Sequence, residues 1–219
     1  MKKIDTVIFD LDGTLLNTLD DLCDGVNEIL KRHALPLRTL EEIRTFVGNG
    51  VRVLMQKALP SDISLDLFEE YFREFKDYYT SHCQIKTGAY KKIYEMLAFL
   101  QEKGYKMAIV SNKNHEAVLR LNDLYFKDYI KVAIGQREGI AKKPAPDTVF
   151  EAIKALGAEP DSCLYVGDSE VDAATAKNAG LSCVLVSWGF RSKEELKNEL
   201  YEKMIDEPME LPIFLENLQ

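Results

Sequence analysis

The sequence predicts an α/β fold: a Rossmann-like parallel sheet core with helices on both faces and an inserted α-helical cap subdomain. Three observations lead there. Short apolar runs of strand length recur along the chain, each continuous rather than alternating, as in strands buried on both faces of a sheet. Helix-period patterns lie between the later runs and supply the crossovers that parallel strands need. Between the first run and the second lie about a hundred residues with helical patterning and no convincing strand.

In chain order, Thr6 to Phe9 is the first strand. Leu19, Leu22, Cys23, Val26, Ile29 and Leu30 then form one apolar helical stripe. Thr39 with Glu42 is a capping box opening a second helix, and Leu67, Phe68, Tyr71, Phe72, Phe75 and Tyr79 stripe another. These helices define an insert over residues 16–85, dividing a core made of 1–15 and 86–219. The Tyr and Phe side chains concentrated in the insert serve as its own packing. Ile93, Met96, Leu97 and Leu100 make a helix that stops at Gly104, and the second strand, Met107 to Val110, follows. Val118, Leu119 and Leu121 lead to a third strand at Lys131 to Ile134. Phe150, Ile153 and Leu156, ending at Gly157, lead to Cys163 to Val166, and Cys183 to Val186 is the last strand.

The chain has 219 residues, enough to bury roughly 70% of its unfolded surface without disulfide support. Its 46% hydrophobic and 29% charged residues describe a folded globular protein. The net charge of −8 provides no overall attraction to nucleic acid or to an anionic membrane. No apolar run is long enough to span a bilayer. Met1-Lys2-Lys3 starts like a signal peptide, but Asp5, Asp10 and Asp12 interrupt any export core, so a cytoplasmic protein is expected. Cys23, Cys83, Cys163 and Cys183 lie far apart with no C-x-x-C pair, which argues against a thiolate metal site.

In an open parallel sheet the ligand sits beyond the carboxyl ends of the strands. Directly after the first run comes Asp10-Leu11-Asp12-Gly13-Thr14, after the second Ser111-Asn112-Lys113, and after the fourth Gly167-Asp168-Ser169. Lys142-Lys143-Pro144 follows a little beyond the third. Singly, an Asp or Ser after a strand reads as a cap and a Gly-Asp pair as a turn. Jointly they place two acids, a hydroxyl, a lysine and a third acid at one sheet edge, the makings of a catalytic site.

Phe9-Asp10-Leu11-Asp12-Gly13-Thr14 resembles the first signature of the haloacid dehalogenase superfamily of phosphotransferases. Ser111 matches the second motif, Lys143 the third, and Gly167-Asp168-Ser169-Glu170-Val171-Asp172 the fourth, over most of the chain. The insert resembles the α-helical cap of one subgroup. Phe46-Val47-Gly48-Asn49-Gly50, followed by Leu54, Ala58 and Leu59, is similar to the cap of phosphoglycolate phosphatases.

The resemblance casts Asp10 as a nucleophile, and a carboxylate suits that role because it is already ionised at neutral pH. Asp12 would donate a proton to the departing alcohol and later take one from water. Four acids around a phosphate repel it by about 1 kcal/mol per contact at 4 Å in water and about 4 at an effective dielectric of 20. A divalent cation removes the conflict, and an all-carboxylate set without His points to Mg²⁺ rather than Zn²⁺. By the family's pattern Asp10 and Asp168 give carboxylates to the metal and Asp12 its backbone carbonyl. Asp172 would then hold the Lys143 or Ser169 region in place from behind the metal ligands, and Ser169 is counted with it there. Lys143 and Ser111 would address the phosphoryl oxygens, Lys143 being preferred over Lys142 because it precedes Pro144. Thr14 and Asn112 are counted among the substrate-binding groups. In the insert, Gly48, Asn49 and Arg52 are candidates for substrate choice; Arg52 could pair with a substrate carboxylate, although a solvated helix residue accounts for it equally well.

The expected activity is therefore hydrolysis of a small phosphorylated metabolite, phosphoglycolate first. A sugar phosphomutase, a pyrophosphatase or a nucleotidase would share the chemistry, and Thr14 in D-x-D-G-T tilts towards hydrolysis. A dehalogenase lacks the second Asp and the metal, and Asp12 is present. A phospho-accepting signalling domain would also gather acids, a hydroxyl and a lysine at strand ends, but not with this insert. The sequence does not fix the oligomeric state.

Overall fold

The computed structural model describes residues 3–218; Met1 and Lys2, the start of the signal-like stretch, and Gln219 lie outside the described residues. Along the chain the elements are β1 (Thr6–Phe9), β2 (Leu16–Asn17), α1 (Leu19–Arg32), α2 (Leu40–Phe46), α3 (Val51–Ala58), α4 (Leu65–His82), β3 (Gly88–Ala89), α5 (Ile93–Glu102) and β4 (Lys106–Asn114). There follow α6 (His115–Tyr125), β5 (Val132–Gln136), α7 (Asp147–Leu156), β6 (Cys163–Gly167), α8 (Glu170–Ala179), β7 (Ser182–Val186), α9 (Lys193–Leu196), β8 (Lys203–Ile205) and α10 (Glu210–Asn217). The chain forms two compact units, Leu16–Gly88 and the remainder on either side of it.

The larger unit is built on a six-stranded sheet in the order β5-β4-β1-β6-β7-β8. Its neighbours pair in parallel, with Thr6 opposite Lys106 on one side and Cys163 on the other. Both faces are covered, which explains the continuous apolar runs. Successive side chains alternate, so Ile8, Ala108, Val110, Cys163 and Tyr165 pack in one cluster with Val149, Ala152, Ala173 and Ala176 of α7 and α8. Val7, Phe9, Ile109, Leu164 and Val166, one step out of phase, are also buried. Because the chain runs from β1 outward through β4 to β5 and then returns to β6, the order reverses beside β1. That reversal leaves a crevice at the carboxyl ends of β1 and its neighbours.

The smaller unit is helical. Helix α1 packs on α2 and α4, and α3 on α2 and α4. Buried Phe68, Phe72, Phe75 and Tyr79 on α4 lie along the striped face expected of them. The Thr39–Glu42 capping box is present, with Thr39 N–H donating to Glu42 Oε2 at 2.8 Å. Asp21, buried on α1, accepts from the backbone N–H groups of Lys86 and Thr87 at 2.9 Å each and so ties the end of the unit to its first helix.

Candidate active site

Every side chain of the central cluster is contributed by the larger unit. Asp10 extends β1 by one residue, its N–H donating to Val166 O at 2.8 Å, so the ladder with β6 fixes where its carboxylate emerges. By alternation it shares the face of Ile8, towards the layer of α7 and α8. Lys143, just before α7, and Asp172, in the first turn of α8, reach it from that layer. Lys143 Nζ donates to Asp10 Oδ1 at 2.6 Å, to Asp172 Oδ1 at 2.8 Å and to Tyr165 Oη at 3.0 Å, and its side chain is only 3% exposed. Lys142 is exposed, so the adjacent lysines are separated by burial.

Asp172 is saturated. Tyr165 Oη joins Lys143 on Oδ1, while Oδ2 accepts from Ser169 Oγ at 2.6 Å, Ser169 N at 3.1 Å and Asp168 N at 3.2 Å. It is an anchor for the β6–α8 turn and has no lone pair in a good direction to spare. Asp168 accepts from Phe190 N at 2.6 Å through Oδ2. By contrast, Asp10 Oδ2 and Asp168 Oδ1 have no hydrogen-bond partner among the described residues. Asp10, Asp168 and Asp172 each bring a carboxylate oxygen within 4.8 Å of the others, with no His or Cys in the group. Hard oxygen donors of this kind suit a divalent cation of the Mg²⁺ or Ca²⁺ class.

The backbone is shaped to let these carboxylates in. Gly13, at φ 94°, and Gly189 both lie so close to Asp168 that a Cβ at either would overlap its carboxylate. Only glycine fits there.

Electrostatics reflects the crowding. Burial pushes Asp10 up, the Lys143 ammonium pulls it back, and the carboxyl is left at about 7. Burial, then Asp172 and Asp10, hold Asp168 well above the usual carboxylate range. Burial alone would lower Lys143, but Asp10 and Asp172 outweigh it and keep the ammonium charged well beyond its ordinary range. The cluster is thus short of positive charge.

Of the remaining expected residues, Ser111 is buried and its Oγ accepts from Lys113 N at 3.2 Å. Asn112 Nδ2 donates to Lys143 O at 3.1 Å, tying the end of β4 to the lysine loop. Asp12 is 2.9 Å from Lys113 Nζ. Thr14 is buried; its carbonyl accepts from Trp188 Nε1 at 3.0 Å, and its hydroxyl has no partner among the described residues. Gly48 and Asn49 lie in the bend between α2 and α3, and Arg52 in the first turn of α3, all in the smaller unit. Arg52 pairs with Glu69 and lies over the rings of Phe68 and Phe72, 4.9 and 5.1 Å from their centroids.

Four groups at the site escape sequence reasoning. Lys113 was open to discovery, standing in the same strand-end tripeptide as Ser111. Tyr165 carries a weak signal, a polar-tipped aromatic inside an apolar strand two residues before Gly167. Tyr90 is half-buried, and burial together with Asp168 and Asp12 keeps its phenol protonated. The Phe190 amide leaves no trace, since every residue but proline has one.

A family model described as haloacid dehalogenase-like hydrolase matches residues 7–186. The chain is 31% identical over 212 residues to the phosphoglycolate phosphatase of Aquifex aeolicus (strain VF5), covering 96% of each protein. It is 33% identical to that of Pseudomonas savastanoi pv. phaseolicola, covering 92% of this chain and 76% of the relative. Among solved structures, a chain from Lactobacillus delbrueckii subsp. bulgaricus superposes with a TM-score of 0.91 at 34% identity, covering 97% and 98% of the two chains. A predicted phosphoglycolate phosphatase from Haemophilus somnus gives 0.90 at 27% identity, covering 98% and 99%.

Proposed function

We propose a function on one premise: the chain belongs to the haloacid dehalogenase-like hydrolase family. It is a phosphatase. The reading supported best is hydrolysis of a small phosphomonoester, 2-phosphoglycolate first, with Mg²⁺ as cofactor and an aspartyl phosphate on Asp10 as intermediate. The observation that carries it is the Asp10 carboxylate itself, held through one oxygen by Lys143, with the other unpartnered among the described residues, beside the reversal of strand order.

In this reading a carboxylate oxygen of Asp10 forms a bond to phosphorus as the bond to the ester oxygen breaks, and Asp12 gives the departing oxygen a proton. Water then attacks the phosphorus of the acyl phosphate, surrendering its proton to Asp12, as the bond from phosphorus to the Asp10 oxygen breaks, which releases phosphate and restores the carboxylate. Lys143 offsets the negative charge on the phosphoryl group, fixed in place by Asp172 and Tyr165. Ser111 and Asn112 supply hydrogen-bonding groups at the end of β4. When bound to the Asp10 and Asp168 carboxylates and the Asp12 carbonyl, Mg²⁺ supplies the positive charge that lets a phosphate dianion approach three buried acids.

Residues 16–85 are taken as the helical cap subdomain of this reading, with Gly48, Asn49 and Arg52 as its candidates for substrate choice. The four buried cysteines form no disulfide among the described residues, which fits a cytoplasmic setting, and no helix among the described residues is long and apolar enough to cross a membrane. The curated relatives named above support 2-phosphoglycolate as the substrate to try first.

The test is phosphate release by the purified chain from 2-phosphoglycolate, sugar phosphates, nucleotides, pyrophosphate and an aryl phosphate, with Mg²⁺ and with EDTA. Mg²⁺-dependent turnover highest on 2-phosphoglycolate is expected. Turnover unaffected by EDTA would remove the cofactor, and no turnover on any of them would remove the reading.

A further inference from the structure

We propose that Lys113 is the group that selects a substrate bearing a carboxylate next to the ester oxygen, an inference that rests on the phosphomonoesterase reading and names its substrate class. The cluster contains two buried lysines with separate partners. Lys143 is enclosed by Asp10, Asp172 and Tyr165, so its charge serves the phosphoryl side. Lys113, whose side chain is 5% exposed, instead extends from the end of β4 to Asp12, the residue that serves the leaving group. Its Nζ lies 2.9 Å from Asp12 Oδ1.

Covalent geometry connects that contact to specificity. If Asp12 protonates the ester oxygen, that oxygen must come within hydrogen-bond reach of its carboxyl group. In 2-phosphoglycolate a single CH₂ separates the ester oxygen from the carboxylate carbon, which sets the carboxylate oxygens about 3 Å from the ester oxygen. A carboxylate there falls beside whatever cation accompanies Asp12. That cation is Lys113. An ammonium has three donors, so it can hold Asp12 and the substrate carboxylate together. An alcohol without the carboxylate offers it nothing. Arg52, the cation of the smaller unit considered for the same task, is already paired with Glu69 and lies over two aromatic rings. Recognition of the acid thus resides in the core, within the motif that also supplies Ser111.

The experiment compares kcat/KM for 2-phosphoglycolate with that for its neutral carboxamide, 2-phosphoglycolamide, in the Mg²⁺-loaded full-length protein. The wild type is expected to prefer the acid, and Lys113→Met to lose about 10- to 100-fold of that preference, the range of a charge-assisted hydrogen bond. Lys113→Arg, which retains the charge, is expected to keep more of it than Lys113→Met. Should methionine not be tolerated beside Asp12, Lys113→Gln, one atom shorter, keeps a hydrogen-bond donor without the charge and must show the same loss. An acid-to-amide ratio unchanged in the neutral variants overturns the role of Lys113 and leaves the phosphatase reading intact, as does a wild type that hydrolyses both compounds equally well. A wild type that hydrolyses neither compound nor an aryl phosphate defeats the underlying reading instead.

Discussion

Asp10→Asn separates chemistry from stability in opposite directions. The asparagine keeps an oxygen that can accept from Lys143, now at 2.6 Å from the carboxylate, but it can neither attack phosphorus nor ionise. Turnover should fall by about 10⁴-fold or more, as when a nucleophile is removed. Metal-free stability should respond the other way. Burial leaves the native carboxyl at about 7, against about 3.9 in an unfolded chain. Between those values the folded state holds the extra proton, so wild-type stability is lost as pH rises from about 4 to about 7 and then levels off. A shift of about three units corresponds to about 4 kcal/mol, the greatest gain the variant can show at pH 8. For a chain of this size that is about 8–16 °C in Tm. The assay is unfolding followed by circular dichroism in EDTA at pH 5 and pH 8, with Asp10→Asn and wild type side by side. At pH 5, about one unit above the unfolded value, the variant should lead by about 1.5 kcal/mol, and at pH 8 by the full gain. A variant less stable at pH 8, or a difference that ignores pH, would refute the claim that this carboxylate is an electrostatic burden without a cation.

Other outcomes follow from single contacts. Gly189→Ala places a methyl group against Asp168 and should weaken Mg²⁺ activation by about 10–100-fold, read from the metal dependence of the rate. Asp21→Ala releases the backbone N–H groups of Lys86 and Thr87 and should cost about 1–3 kcal/mol in urea unfolding, with the melting of the helical unit affected first. All four thiols are buried, and burial raises Cys23, Cys183 and Cys163, the last to about 11. At pH 8 a disulfide reagent should therefore label the native protein slowly and all four cysteines at once in denaturant; rapid native labelling would contradict the packing.

Five strands of the main sheet were legible because each is a continuous apolar run, and parallel strands covered on both faces must be. The sixth, β8, is three residues, Lys203-Met204-Ile205, with an exposed lysine at the edge, too short to show a pattern. Helix α8 hides for a different reason: its buried face is Ala173, Ala176 and Ala179, which pack closely on the sheet but carry little hydrophobic signal. Strand β4 runs on to Asn114, past the expected end at Val110, with a register shift against β5. That irregularity moves Ser111, Asn112 and Lys113 out of a simple loop and fixes them as strand-end groups. Asp10, Lys143, Asp168 and Asp172 could be read as strand-end and turn motifs because sheet topology alone brings such ends together. The Lys113–Asp12 pair joins positions 101 residues apart and depends on side-chain reach, which no local pattern encodes.

On the proposed reading, the distribution of charge keeps the two lysines to separate tasks. Lys143 is shared by two acids and a phenol at 2.6–3.0 Å, so its orientation is fixed from three sides and any shift towards a leaving group would expose Asp10 to Asp172. Lys113 has a flexible stem and its ammonium beside Asp12, which is itself only partly buried at 20% exposure. A cation beside Asp12 can add a contact to the substrate without dismantling the buried cluster around Lys143. In the proposed mechanism the phosphoryl side, held by these contacts of Lys143, would then be indifferent to what the phosphate is attached to. Discrimination falls to groups on the leaving-group side, so substitutions at Lys113 should alter which ester is preferred, whereas substitutions at Lys143 should depress turnover of all of them alike.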